Sequence, residues 1–211
     1  MVVNRNDYRL LYFEENKNRQ ESLEQLKKTI DSLHSISNYY AFLNNEKEFK
    51  DELLLIFNNR CCYCGASFEV VLNFDNVEID HIYSKSAKSA TYFNKNSLLN
   101  LAPACHNCNN LKRSIIDTKE DAEEINPYKS ISNAFYRSED LYIKIKDDKK
   151  AKEIICSFYN QLGLYKEIHR LSYILLILSE MKKKYKESSE IYNKVSKIFD
   201  IIHNSFNYSL K

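Results

Sequence analysis

Four cysteines stand in two pairs of identical spacing, Cys61-Cys62-Tyr63-Cys64 and Cys105-His106-Asn107-Cys108. A C-x-x-C pair offers two thiolates to one ion, and four such soft donors suit tetrahedral Zn²⁺ in a closed structural site. The stretch between the pairs, Gly65 to Ala104, is longer than the ~15–20 residues of common two-pair zinc modules, so something folded has to fill it. Inside it lie Asp80 and His81. A carboxylate offers hard oxygen to Mg²⁺, and a neutral imidazole takes a proton from water near neutral pH. On a strand neighbouring side chains point to opposite faces, so this pair serves one site only where the strand bends. Cys62 lacks the pair spacing, and Cys156, in an apolar helical stretch, reads as packing. His106 is an alternative ligand inside the second pair, whereas His34, His169 and His203 have no partners at metal spacing.

The elements that position these residues follow from periodicity. Leu23, Leu26, Ile30 and Leu33 recur at helical spacing, and Phe49, Leu53, Leu54, Ile56 and Phe57 give a second helix over 46–58 that runs into the first pair. Gly65 permits the turn around a metal. Phe68 to Leu72 reads as a short strand, Val77 to Ile82 as a second, and Leu98 to Leu101 as a third extended stretch ended by Pro103. A polar loop between them, Ser84 to Asn96, carries Tyr92 and Phe93 as anchors, and Asn107 to about Ile116 reads as a helix. Residues 1–20 read as a loosely packed arm or docking segment, and 117–126 as an acidic spacer. Leu141, Ile143 and Ile145 suggest an outlying strand; from Ala151 onward the pattern is helical, interrupted at Gly163. The expectation is an α+β chain, mostly helical: N-terminal arm and helices over 1–57, a small core over 58–117, and a mainly helical region over 118–211.

Composition narrows the class. Only two Gly and two Pro among 211 residues favour helices over a turn-rich β architecture. The longest apolar run, Tyr173 to Leu178, is far short of the ~20 residues that span a bilayer, and the first residues show no apolar signal region. A cytoplasmic setting is expected, where cysteines serve metals more readily than disulfides. Net charge is only +2, but His81 to Ile116 contains no Asp or Glu while holding Lys85, Lys88, Lys95, Lys112 and Arg113, an electrostatic footprint for a polyanion.

The order C-x-x-C, Asp80-His81, Asn100-Leu101 and Cys105-His106-Asn107-Cys108-Asn109-Asn110-Leu111-Lys112 resembles the HNH (ββα-metal, His-Me finger) endonuclease family over about residues 58–117. The resemblance implies a metal-dependent phosphodiester hydrolase. His81 would be the general base; Asp80 and Asn109 would hold one catalytic Mg²⁺ or Mn²⁺; Asn100 would brace the loop that orients His81. Lys112 and Arg113 would contact phosphate near the helix start, and Cys61, Cys64, Cys105 and Cys108 would bind structural Zn²⁺. The family's last position is often His; Asn109 stands there instead, and an amide oxygen suits Mg²⁺.

The flanks resemble, more loosely, the nuclease subunits that accompany an ABC-type or SMC-like ATPase in prokaryotic anti-phage systems such as Septu and some retrons. The features are Ile125 to Tyr128, the strand near 141–145, and Tyr159 to Leu164 followed by Arg170. This implies an ATPase partner; DNA is taken as the favoured substrate, although the site would act on a phosphodiester of either nucleic acid. Competing readings are an RNA- or tRNA-cleaving enzyme on the same core and a zinc-stapled nucleic-acid-binding module without catalysis.

Overall fold

The structure, a computed structural model, describes residues 7–15, 18–84, 95–113, 115–116 and 118–209. The expected anchors Tyr92 and Phe93, and the basic Lys85 and Lys88, lie outside the described residues. Among these residues the chain is α+β and mostly helical. Helices α1 (Arg19–Leu33), α2 (Tyr39–Asn45) and α3 (Lys47–Ile56) come first. Strands β1 (Val77–His81) and β2 (Leu101–Cys105) follow, and α4 (His106–Lys112) leaves β2 directly. Then come α5 (Lys119–Glu124), α6 (Ile131–Ala134), β3 (Phe135–Arg137), β4 (Ile143–Ile145), α7 (Glu153–Gln161), α8 (Glu167–Lys184) and α9 (Glu190–Ser209).

Two antiparallel ribbons result. β1 pairs with β2 in a register that sets Val77 opposite Cys105 and His81 opposite Leu101, and β3 pairs with β4. Pro103 does not end its stretch, as expected from sequence, but sits inside β2 opposite Ile79. A two-stranded ribbon has only edges, and an edge strand tolerates a residue with no N–H. The expected strand at Phe68 to Leu72 is instead a turn. The Ser67 hydroxyl accepts from the N–H groups of Glu69 and Val70, and its carbonyl accepts from Val71 and Leu72. A local serine partner thus outcompetes the β-branched preference. α4 is shorter than expected because Arg113 takes φ 44° and ends it. The acidic spacer forms α5, capped by Thr118.

The N-terminal segment also departs from expectation. Asp7, Tyr8, Arg9, Leu10 and Leu11 are buried, not a loose arm. Arg9 donates to the carbonyls of Cys62 (2.6 Å) and Pro127 (3.0 Å), and Asp7 pairs with both Arg9 and Arg19. Burial by itself would raise the Asp7 carboxyl; the two guanidiniums hold it below the usual carboxylate range. Hydrogen bonds from buried charged groups are among the stronger ones, so this segment ties the first cysteine pair to the region after α5. One hydrophobic cluster runs from Tyr8 through Leu54, Tyr63, Leu101, Ile131 and Phe158 to Leu164. Helices α8 and α9 pack as a hairpin over smaller clusters around Leu11 and Val71. Cys156, expected in the core, is only half-buried and donates to the Lys150 carbonyl.

Candidate active site and metal centre

The thiolate site is built by one turn and one helix start. After α3, Asn58 and Asn59 adopt positive φ and swing the chain into the first pair. The Cys61 N–H then donates to Ala66 O and the Gly65 N–H to Cys61 O. Gly65 holds φ 76°, and a Cβ there would meet the Arg9 Cα at 3.0 Å, so glycine alone fits the approach. The Cys62 N–H donates to Pro103 O and fastens this turn to β2. The second pair spans the start of α4, where the Cys108 N–H donates to Cys105 Sγ at 3.4 Å. The Sγ atoms of Cys61, Cys64, Cys105 and Cys108 all lie within 4.8 Å of one another, and all four residues are buried.

Tetrahedral zinc at about 2.3 Å from each sulfur would need S···S separations of about 3.8 Å, so this cluster fits a metal ion. Burial would raise the Cys61 thiol, but hydrogen bonds from the neighbouring cysteines outweigh it and pull that group well below the ordinary range. Cys64 and Cys108 are pushed well up, chiefly through their bonds with Cys105. Cys61 adds to the rise at both Cys64 and Cys108, an opposition that a bound cation would offset. Cys62 is fully buried and outside the cluster. His106 is not in it either: its ring faces solvent and bonds Glu78 and Asn110.

The second site lies along β1. Strand alternation puts Glu78 and Asp80 on one face, and His81 is the last residue of β1, with the chain bending at Ile82 and Tyr83 directly after it. Asp80 is 6% exposed. Its Oδ2 accepts from the Tyr63 hydroxyl at 2.5 Å and faces Lys112 Nζ at 3.1 Å. Burial raises its pKa above the ordinary carboxyl value, opposed by Lys112 and Tyr63. Asn109, on α4, meets Glu78 rather than Asp80: its Nδ2 donates to Glu78 Oε2, while His106 holds Oε1. With its NH₂ committed to a carboxylate, the half-buried Asn109 amide has Oδ1 as its remaining ligand-type atom. Glu78 was missed in the sequence; its place two residues before Asp80, on the same strand face, was the available signal.

His81 closes β1 and is 8% exposed. Its ring packs on Tyr40 of α2 with centroids 4.6 Å apart, and Nε2 lies 3.0 Å from Asn96 Oδ1. An Oδ1 acceptor there selects the Nε2–H tautomer, in which Nδ1 carries the lone pair. Asn100 is buried where the loop returns. Its Oδ1 accepts from the Tyr83 N–H (2.9 Å), and its Nδ2 donates to Tyr83 O (3.1 Å) and Lys95 O (2.9 Å). The Ile82 N–H also donates to Asn100 O. Asn100 thus closes both ends of the loop that follows His81.

Lys112 stands at the end of α4, not near its start, and its side chain is 1% exposed. Its ammonium donates to His81 O (2.8 Å) and Ile82 O (3.2 Å) besides facing Asp80. This placement makes it a brace of the strand end. Arg113 is exposed.

No helix among the described residues is long and apolar enough to cross a membrane. No curated protein and no solved structure matches the chain. Residues 61–114 match the model of the HNH endonuclease family. That span begins at the first zinc-type ligand and ends just past Lys112, enclosing β1, β2 and α4 together with Asp80, His81, Asn100 and Asn109. Strand, strand and helix, with four clustered thiols, therefore constitute an HNH endonuclease domain at residues 61–114, which supports a nuclease that hydrolyses phosphodiester bonds.

Proposed function

We propose that the β1 end and α4 form one hydrolytic centre, in which His81 takes the proton from the attacking water. The reading is carried by one observation: Asn109 of α4 is bonded to Glu78 on the β1 face that also bears Asp80. This brings oxygen donors from helix and strand to one edge of the domain. Asp80 and Asn109, with Glu78 beside them, are a hard-oxygen set suited to Mg²⁺ or Mn²⁺. A divalent ion held there would supply charge stabilisation at the scissile phosphate and the leaving 3′-oxygen.

The remaining work belongs to the chain. Asn96 selects the His81 tautomer, Tyr40 limits the ring's rotation, and Asn100 and Lys112 fix the backbone on either side of it. Together they hold the base before substrate arrives, which is how positioning lowers a barrier. Expected products are a 5′-phosphate and a 3′-hydroxyl. The four cysteines would hold zinc as scaffold, with no part in the reaction. Arg113, exposed at the helix end, would meet the phosphate backbone in place of Lys112.

DNA is the favoured substrate in this reading, in the cytoplasm, as the nuclease subunit of an anti-phage pair with an ABC- or SMC-like ATPase. The layout of the C-terminal region supports the partner. So does an apolar row on α9, Ile191, Ile198 and Ile201, each about half exposed. Incubating the zinc-loaded chain with duplex DNA and with total RNA, with and without Mg²⁺, tests the function. Mg²⁺-dependent nicking of DNA is expected; cleavage of RNA alone would move the reading to an RNA-directed enzyme.

A further inference from the structure

Tyr63 reaches from the first cysteine turn to β1. It lies between the ligand-type residues Cys61 and Cys64, and its ring is fully buried. Three contacts fix it. Its carbonyl accepts from the Tyr8 hydroxyl, its ring meets Phe158 edge-on with centroids 5.6 Å apart, and its own hydroxyl donates to Asp80 Oδ2 at 2.5 Å. A phenol hydroxyl is a hydrogen-bond donor at neutral pH. The Lys112 ammonium stands 3.1 Å from the same carboxylate oxygen and 5.8 Å from the Tyr63 ring centroid.

A buried carboxylate on a strand has two ways to keep a fixed rotamer: packing, or hydrogen bonds from groups that are themselves immobile. Both donors of Asp80 are immobile. Lys112 ends α4, the helix that begins in the second cysteine pair, and Tyr63 sits inside the first pair. Each half of the thiolate site thus sends one donor to Asp80 Oδ2.

We propose that Tyr63 is a positioning residue that transmits the geometry of the four-cysteine site to the Asp80 carboxylate, and so sets the affinity of the hydrolytic centre for its divalent ion. The proposal rests on the assignment of Asp80 to that centre. It gives the structural metal a second effect: removing it would loosen the catalytic carboxylate as well as the fold.

The test compares Tyr63→Phe with Tyr173→Phe, both zinc-loaded full-length chains. Tyr173 also donates a buried hydroxyl hydrogen bond, to Leu10 O at 2.8 Å, within the separate cluster around Leu11. Mn²⁺ affinity is read by titration calorimetry, zinc content by atomic absorption, and unfolding by urea. Both variants should keep wild-type zinc content and lose similar stability. Only Tyr63→Phe should bind Mn²⁺ more weakly, by ~10-fold, the scale of one hydrogen bond to a charged group. Wild-type Mn²⁺ affinity in Tyr63→Phe, or equal weakening in Tyr173→Phe, would overturn the proposal. Loss of zinc from Tyr63→Phe would overturn it too, because the effect would then lie in the scaffold. Failure of the wild-type chain itself to bind Mn²⁺ would instead remove the divalent centre, and the proposal with it.

Discussion

Replacing Lys112 by Met separates two roles that look alike in the sequence, a phosphate contact and an internal brace. In the structure the ammonium serves the Asp80 carboxylate and the carbonyls of His81 and Ile82, with a side chain only 1% exposed. Methionine matches its length and fills its volume, so the cavity left is small. The change takes away the cation beside a buried carboxylate. Removing one partner of a buried pair typically destabilises by about 3–5 kcal/mol, because the other charge stays without compensation. The same change at a solvent-facing, phosphate-binding lysine would leave stability within about 0.5 kcal/mol. It would also lower the slope of log DNA affinity against log salt by about 0.9 for each phosphate no longer neutralised. Two measurements on the zinc-loaded Lys112→Met chain distinguish the roles: urea unfolding near neutral pH, and DNA binding from about 50 to about 200 mM salt. A stability loss of several kcal/mol with an unchanged slope is expected. Wild-type stability with a reduced slope would refute the brace.

Two further outcomes follow from the buried groups. Burial, aided by Arg137, lowers the His169 imidazole to about 4. The unfolded chain therefore binds the proton first as pH falls. Stability fully present above about pH 6.5 is lost toward pH 4, by about 2 kcal/mol at pH 5. His169→Gln should flatten that part of the urea midpoint profile, and an unchanged profile would locate the acid sensitivity elsewhere. Among the cysteines, Cys105→Ser should lose the bound metal and unfold at lower urea. Cys62→Ser, equally buried but outside the thiolate cluster, should keep one zinc per chain; loss of zinc from it would redraw the ligand set.

The chemistry was more legible in the sequence than the packing. Two C-x-x-C pairs announce a four-thiol site because a metal demands fixed spacing, and the four sulfurs do converge. Asn100 acts locally, bonding Tyr83 and Lys95 on either side of the loop after His81. Lys112 misled because charge suggests solvent, while a lysine next to a buried carboxylate is recognisable only once the helix is laid on the strand. The same holds for residues 7–11. Asp7 and Arg9 look like a polar terminus, yet they neutralise each other and fill the back of the first cysteine turn. Glu78 escaped notice because its partner Asn109 lies across the sheet-to-helix turn. Phe68 to Leu72 read as a strand on composition, and the single hydroxyl of Ser67 decides otherwise.

One variant tests the assignment of His81 as the base of a divalent-dependent nuclease with the thiolate site as scaffold. The direct measurement is single-turnover cleavage of duplex DNA in Mg²⁺ by His81→Ala beside the wild type, with zinc content and unfolding recorded on the same samples. Wild-type zinc, near wild-type stability, and cleavage slower by ~10²-fold or more are expected from that assignment. Undiminished Mg²⁺-dependent cleavage by the zinc-loaded variant would contradict it.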